Sequence, residues 1–228
     1  MGGRDPPVGR LDVITLADFA GHAALLERIA ASGPGRLMVA IAGPPGAGKS
    51  TFAEALAEAL NADAAESAAV IPMDGFHYDD GLLEARGLRR RKGAPATFDV
   101  GGLRHMLLRL RGRDEAEVAV PVFDRRLEIS RAGARIVAAH VRVLVIEGNY
   151  LLLNQEPWRQ LAPLFDVTVM LRQSRSSLET RLIQRWLAYG FGEAEARAKV
   201  LSNDLPNVDV VLEGSREADF DIASSPRS

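Results

Sequence analysis

Apolar residues recur at helical spacing from Thr15 to Ser32, where Leu16, Phe19, Ala20, Ala23, Leu26, Ile29 and Ala30 share a face. Gly33, Pro34 and Gly35 end that helix. Arg36–Gly43 (RLMVAIAG) is a short unbroken apolar run, the pattern of a strand buried on both faces. Phe52–Leu60 is rich in strong helix formers. The two patterns then alternate. Ala68–Asp74, Val141–Gly148 and Asp166–Arg172 predict further buried strands, and Glu117–Asp124 (EVAVPVFD) a strand beside them. Gly101–Gly112 predicts a short helix and Glu193–Leu201 another. Ser174–Tyr189 predicts a long amphipathic helix, with Leu178, Leu182 and Trp186 on one stripe. Val208–Gly214 (VDVVLEG) predicts the fifth strand of the sheet, and the polar, Gly-rich stretch 76–100 a long loop with one helical turn.

Strands alternating with helices predict an α/β fold of three layers: a mainly parallel five-stranded sheet with helices on both faces. In such sheets ligands bind outside the carboxyl ends of the strands. The expected division is a flexible arm at 1–14, one domain at 15–216 and a tail at 217–228. Within the domain, a lid or acceptor-binding insertion is expected at about 75–135 and a second lid helix at about 174–189.

A length of 228 residues fits one domain, and 47% hydrophobic with 25% charged residues fits a folded chain. There is no cysteine, hence no disulfide framework and no thiolate chemistry. A net charge of -2 gives no overall basic field for nucleic acid. Lysine occurs only at Lys49, Lys92 and Lys199; the other basic residues are arginines. No run of 18 apolar residues predicts a membrane span. The start of the sequence lacks the apolar stretch of a signal peptide, so the expected location is the cytoplasm. An apolar helix face serves a core or a homodimer interface equally well, which leaves the oligomeric state open.

The strongest motif is GPPGAGKS at Gly43–Ser50, which fits G-x-x-x-x-G-K-S/T and lies between a predicted strand and a predicted helix. Its glycines let the chain curl so that backbone N–H groups face phosphate oxygens, and the helix amino end adds positive potential. Gly43, Pro44, Pro45, Gly46, Ala47, Gly48, Lys49, Ser50 and Thr51 are therefore the candidate nucleotide-binding residues. Lys49 would reach the terminal phosphates and the Ser50 hydroxyl a Mg²⁺ ion.

Two acids stand at the ends of predicted strands. Asp74 could accept a proton from an attacking hydroxyl or hold a metal-bound water; Glu147 could serve the metal or grip a substrate hydroxyl. An Asp that merely closes a turn and a solvated strand-end Glu are the alternatives. A GTPase is disfavoured: the guanine-reading N-K-x-D is absent, and the D-x-x-G match at Asp99–Gly102 does not follow a buried strand.

At these residues the chain resembles the phosphoribulokinase, uridine kinase and pantothenate kinase superfamily of P-loop kinases. Besides GPPGAGKS, the resemblance rests on MDGFH (Met73–His77), RRKGAPATFD (Arg90–Asp99), PVFDR (Pro121–Arg125) and VLVIEGNYLLL (Val143–Leu153). The stretches LETRLIQRWLAYG (Leu178–Gly190) and NDLPNVDVVLEG (Asn203–Gly214) also match, so the likeness runs from about Arg36 to Glu213. It is greatest to bacterial nucleoside/nucleotide kinase-like proteins, some of them called fructose transport system kinases. The resemblance implies a P-loop NTPase fold and ATP- and Mg²⁺-dependent transfer of the γ-phosphoryl group to a hydroxyl of a small metabolite. It makes Asp74 the base, Glu147 the acidic residue of the third strand, and Lys49 and Ser50 the phosphate and metal groups. The chain departs from uridine kinases at His77 and Tyr78, and PVFDRR lacks the tyrosine-rich pattern of pantothenate kinases, which leaves the acceptor open.

Phosphoryl transfer spreads charge over the moving group, so arginines near it are useful. Arg172 ends a predicted strand, and Arg181 and Arg185 lie four apart on the lid helix. Lys49, Asp74, Glu147, Arg172 and Arg181 are the catalytic candidates; Ser50, Asp74 and Glu147 are the metal candidates. His77, Tyr78 and Arg125, with Asp74 and Glu147, are the candidate acceptor contacts. The run Arg89–Lys92 reads as a solvated loop or as a cover over the acceptor. Trp158 and Trp186 read as packing residues, and Asn203–Asn207 as a turn before the last strand or an adenine contact. Two rival readings remain: a nucleotide-binding regulator or transport accessory with little transfer activity, and a nucleic-acid-directed ATPase.

Overall fold

The computed structural model describes Phe19 and residues 21–223; the expected arm at 1–14, the first turn of the predicted first helix and residues 224–228 of the expected tail lie outside them. β1 (Leu37–Ala42) is buried at every position, as its unbroken apolar run requires. It is the central strand of a five-stranded sheet. Its neighbours are β5 (Val143–Gly148) and β6 (Val167–Arg172); β2 (Ala68–Pro72) and β7 (Phe220–Ala223) form the edges. Every pairing in this sheet is parallel, so all five strands end on the same side.

Alternation along β1 divides the core in two. Leu37, Val39 and Ile41 pack against α1 (His22–Ala30), α2 (Lys49–Asp63) and α5 (Arg175–Ala188) through Leu25, Phe52, Leu56, Leu178 and Leu182. Met38, Ala40 and Ala42 face α4 (Val100–Gly112), through Leu103 and Leu107, and the segment Tyr150–Leu164. Below the sheet, the Arg36 guanidinium donates to the carbonyls of Leu110, Ala138, Ala139 and Val141, satisfying the end of α4 and the turn into β5.

Three expectations are corrected. Val208–Gly214 is not a strand but part of the helix α7 (Leu205–Gly214). Pro206 stands in its first turn, and Leu205, Val208 and Val211, at a helical spacing of three, are its buried apolar residues. Its β-branched composition yields to that packing. The fifth strand is instead β7, inside the stretch expected to be a tail; Asp219 just before it accepts hydrogen bonds from the Thr168 N–H and hydroxyl of β6. Asn203–Asn207 consequently leads into a helix, through a π-turn at Val200–Asp204, and not into a strand. The third correction is an addition: Ile129–Ala138 forms β4, which pairs antiparallel with β3 (Glu117–Asp124) as a separate hairpin. Most of β4 is exposed, so it carries no apolar run to announce it.

The stretch 76–100 holds more than one helical turn. It contains α3 (Asp80–Ala85), capped by the Asp79 carboxylate on the Gly81 N–H, and 3-10 turns at Arg89–Arg91 and Pro95–Thr97. The remaining helix is α6 (Glu193–Lys199). Among the described residues no helix is long and apolar enough to cross a membrane.

Candidate active site

Residues 43–48 leave the end of β1 and curl before α2 begins. Gly46 (φ 82°) and Gly48 (φ 92°) adopt left-handed backbone, which costs a residue with a side chain about 1–2 kcal/mol. A Cβ on Gly46 would lie 3.3 Å from Leu182 of α5, so the lid helix rests on the curl. No side chain caps the first turn of α2 and no acid lies in it, so its N–H groups remain available to an anion. Lys49 is buried, and its ammonium donates to the Pro44 carbonyl at 3.0 Å. Burial pulls its pKa down to about 8, against the opposing pull of Glu147 and Asp74.

Asp74 sits in the 3-10 turn Met73–Phe76 that follows β2. Its carboxylate accepts from the Arg125 guanidinium at 2.6 Å, which fixes its orientation. Arg125 comes from the end of the hairpin, and the hairpin reaches so close because residue 75 is glycine: a Cβ there would lie 2.5 Å from the Pro121 carbonyl oxygen. The His77 ring lies between Phe98 (4.0 Å) and Phe123 (4.7 Å), and its Nδ1–H donates to the Asp74 carbonyl at 2.8 Å. Burial lowers the pKa of His77, so near neutral pH its Nε2 is an acceptor.

Glu147 is the next-to-last residue of β5, in register with Ile41 of β1 and Pro72 of β2. That register places it between the loops that leave those strands. The Ser50 hydroxyl lies near its carboxylate and favours the charged form. Burial, then the charge of Asp74, pushes its pKa up to about 7, against Lys49, Arg125 and Ser50.

These groups open on one cavity of about 1010 Å³ at the carboxyl ends of the strands. Of the expected nucleotide residues, Pro45, Gly46, Gly48, Lys49, Ser50 and Thr51 line it, while Gly43, Pro44 and Ala47 form the buried underside of the curl. Asp74, His77, Arg125, Glu147 and Arg181 line it too, and Arg181 donates to the Gly46 carbonyl at 3.4 Å. Two candidates lie elsewhere. Arg172 pairs with Asp221 on β7 at 2.8 Å, and the Tyr78 ring lies under Arg86 at 4.6 Å; neither lines the cavity.

The sequence reading missed part of the opposite wall. Tyr189, Phe191 and Lys199 line the cavity, as does Trp186, expected only to pack, and Asn203, Asp204 and Asn207 of the stretch expected as a turn or an adenine contact line it too. Trp186 donates its indole N–H to buried Asp204 at 2.6 Å, so it serves the cavity as well as packing. Three aromatics within six residues of a chain that is 6% aromatic were the available signal. Phe98, Phe123, Arg89, Arg90, Lys92 and Glu128 complete this side.

Among the described residues no group of three or more His, Cys, Asp or Glu could cage a metal unaided. Mg²⁺ does not require one, because it is commonly held by one or two carboxylates together with substrate phosphates and water. Ser50 beside Glu147, with Asp74 close enough to raise the pKa of Glu147, is a donor set of that kind.

Residues 38–188 match the model of the phosphoribulokinase/uridine kinase family. The Escherichia coli protein YggC, named as uncharacterized, is 37% identical over 81% of this chain and 76% of its own. A "putative uridine kinase" of Schizosaccharomyces pombe is 36% identical over 77% of this chain and 78% of its own. The crystal structure of a "putative fructose transport system kinase" from a Silicibacter species is 44% identical and covers 91% of this chain and 98% of its own, with a TM-score of 0.83.

Proposed function

Since this chain belongs to the phosphoribulokinase/uridine kinase family, we propose that it moves the γ-phosphoryl group of ATP, with Mg²⁺, to a hydroxyl of a small metabolite. A sugar or nucleoside is the favoured class of acceptor and pantothenate the second. One observation carries the reading: Lys49, Asp74, Glu147 and Arg181, taken from four separate elements, line the same cavity.

The curl at 43–48 and the uncapped start of α2 grip the phosphates through backbone N–H groups. The Lys49 ammonium, already desolvated, meets the terminal phosphates. Ser50 and Glu147, with Asp74 beside them, would hold Mg²⁺, which when bound offsets negative charge on the phosphates. The acceptor oxygen attacks the γ-phosphorus, the bond to the β-phosphate oxygen breaks, and ADP leaves. The hydroxyl proton passes to the Asp74 carboxylate, which Arg125 keeps aimed. Arg181 and Arg185 of α5 face the spreading charge, and closure of α5 and of the segment at about 75–135 excludes water that would hydrolyse ATP.

The test is transfer from γ-labelled Mg·ATP across sugars, nucleosides, pantothenate and ribulose 5-phosphate. At least one acceptor should be labelled, and Lys49→Ala should lower turnover by about 10³-fold while leaving the circular dichroism spectrum intact. A slow ATPase indifferent to every acceptor would overturn the kinase and favour the accessory role.

A further inference from the structure

Lys92 stands on the cavity wall that faces the phosphate loop, yet its side chain is only 10% exposed. Its ammonium donates to the Asp80 carboxylate of α3 at 2.6 Å and to the Glu128 carbonyl of the hairpin turn at 2.7 Å. The Glu128 carboxylate lies 3.6 Å away, and the Phe123 ring centre 5.1 Å. Its own carbonyl accepts from the Asn203 side chain at 2.9 Å, and its neighbour Arg91 donates to the Ser202 carbonyl at 3.0 Å. One residue thus joins three parts of the rim that are remote in sequence: the π-turn Val200–Asp204, α3 and the hairpin turn. Arginine is the usual cation of this chain, and lysine occurs three times. An ammonium offers three donors about one point, which suits oxygens converging from different segments better than a planar fork does.

The hairpin turn carries this fastening to the base. Asp124 and Ile129 pair across its foot, and the Asp124 carboxylate accepts from the Arg126 and Leu127 N–H groups, each at 3.1 Å. Arg131 of β4 stands 3.5 Å from the same carboxylate. Residues 125–128 are therefore a closed turn whose two ends move together. Glu128 meets Lys92 at one end, and Arg125 holds Asp74 at 2.6 Å from the other. Arg125 has little packing of its own to hold it, since its side chain is 57% exposed. Its aim at Asp74 therefore depends on where the turn is set. The Lys92 charge, by contrast, is already met by Asp80 and Glu128 and needs no ligand to balance it.

We infer that Lys92 is a positioning residue for phosphoryl transfer: by fixing the hairpin turn at Glu128 it sets Arg125, and through Arg125 the Asp74 carboxylate, without touching ATP or the acceptor. The inference rests on the kinase reading above and extends it to the residue that aligns the base. Lys92 is then neither a solvated charge nor a cover over the acceptor, the two roles open to the run Arg89–Lys92.

The experiment is steady-state kinetics under Mg·ATP, with the acceptor labelled fastest among sugars, nucleosides, pantothenate and ribulose 5-phosphate. It compares wild type with Lys92→Met, Arg125→Gln and the double variant. Asp80 keeps its pair with Arg89 at 2.7 Å when the ammonium is gone, so Lys92→Met should fold. It should lower kcat about 10–100-fold, with the KM for Mg·ATP changed less than about twofold. Arg125→Gln should lower kcat at least as far. Adding Lys92→Met to it should cost less than about threefold more, because both changes act on one contact. In ligand-free protein, amide hydrogen exchange over residues 124–131 should quicken at least about fivefold in Lys92→Met while that of β1 and β5 stays as it was. If Lys92→Met fails to fold, Lys92→Gln, which keeps an N–H donor without the charge, takes its place with the same expectations. Losses that multiply in the double variant, or a loss confined to the KM of the acceptor, would put Lys92 on the acceptor itself and overturn the inference while the kinase stands. So would a wild-type kcat, or unchanged exchange at 124–131. Absence of transfer by wild type to every acceptor would overturn the kinase reading, and the inference with it.

Discussion

At the phosphate loop, nine consecutive residues, Gly43–Thr51, supply the backbone curl, the buried ammonium and the hydroxyl. The facing wall draws on 89–98, 123–128, 186–191 and 199–207, which meet only after the chain has folded. The first region is built of backbone whose shape two glycines fix, and the second of side chains standing on turns and helix ends. A region of the first kind tolerates little change and treats all acceptors alike. A region of the second kind can exchange one contact at a time and so determines which acceptor is used.

The sharpest division between the regions is expected at Asp74, which serves both. Asp74→Asn should reduce kcat about 10²–10⁴-fold for whichever acceptor is used, with ATP affinity changed less than about threefold. Stopped-flow turnover beside calorimetric ATP binding checks this, and a parallel loss of ATP affinity would move Asp74 into the nucleotide side. Next in size is the stability stored at the phosphate end. Glu147 keeps its proton up to about pH 7, whereas the unfolded chain releases it near 4.5. In that window the native state binds more protons than the unfolded state, and stability falls as pH rises. Glu147→Gln cannot titrate, so its Tm relative to wild type should climb between about pH 4.5 and 7. The expected rise is at least about 2–4 °C in ligand-free protein, and a flat difference would remove the claim. Smallest is Arg172→Ala. Its exposed pair with Asp221 is worth about 0–1 kcal/mol, and kcat/KM should change less than about threefold; a hundredfold loss would return Arg172 to the active site.

The same division explains what could be read before folding. The parallel sheet, the phosphate loop, Asp74 and Glu147 are carried by short contiguous patterns, and β1, β5 and β6 lie within a residue or two of their expected limits. Val208–Gly214 misled because valines favour strands in isolation, while three buried positions at helical spacing favour α7. β4 escaped because its exposed, arginine-bearing surface has no apolar alternation. Arg172 and Tyr78 were placed by their position after a strand or a motif. Whether such a side chain turns into the cavity depends on a neighbour, Asp221 or Arg86, that is remote in the sequence or contributes only in three dimensions.

The hairpin has a consequence for motion. Outside its own pairing β3–β4 is anchored at one end by buried Val118, Val120 and Val137, which join the core beside α4, and by an Arg135 hydrogen bond to the Val70 carbonyl, while its turn end at 124–131 is largely exposed. The sheet behind it is five strands deep and buried on both faces. Brief opening of that turn end is therefore far cheaper than disruption of the domain. Because Arg125 travels with the ribbon, each such excursion would release the carboxylate it holds, linking access to the pocket with the readiness of its base.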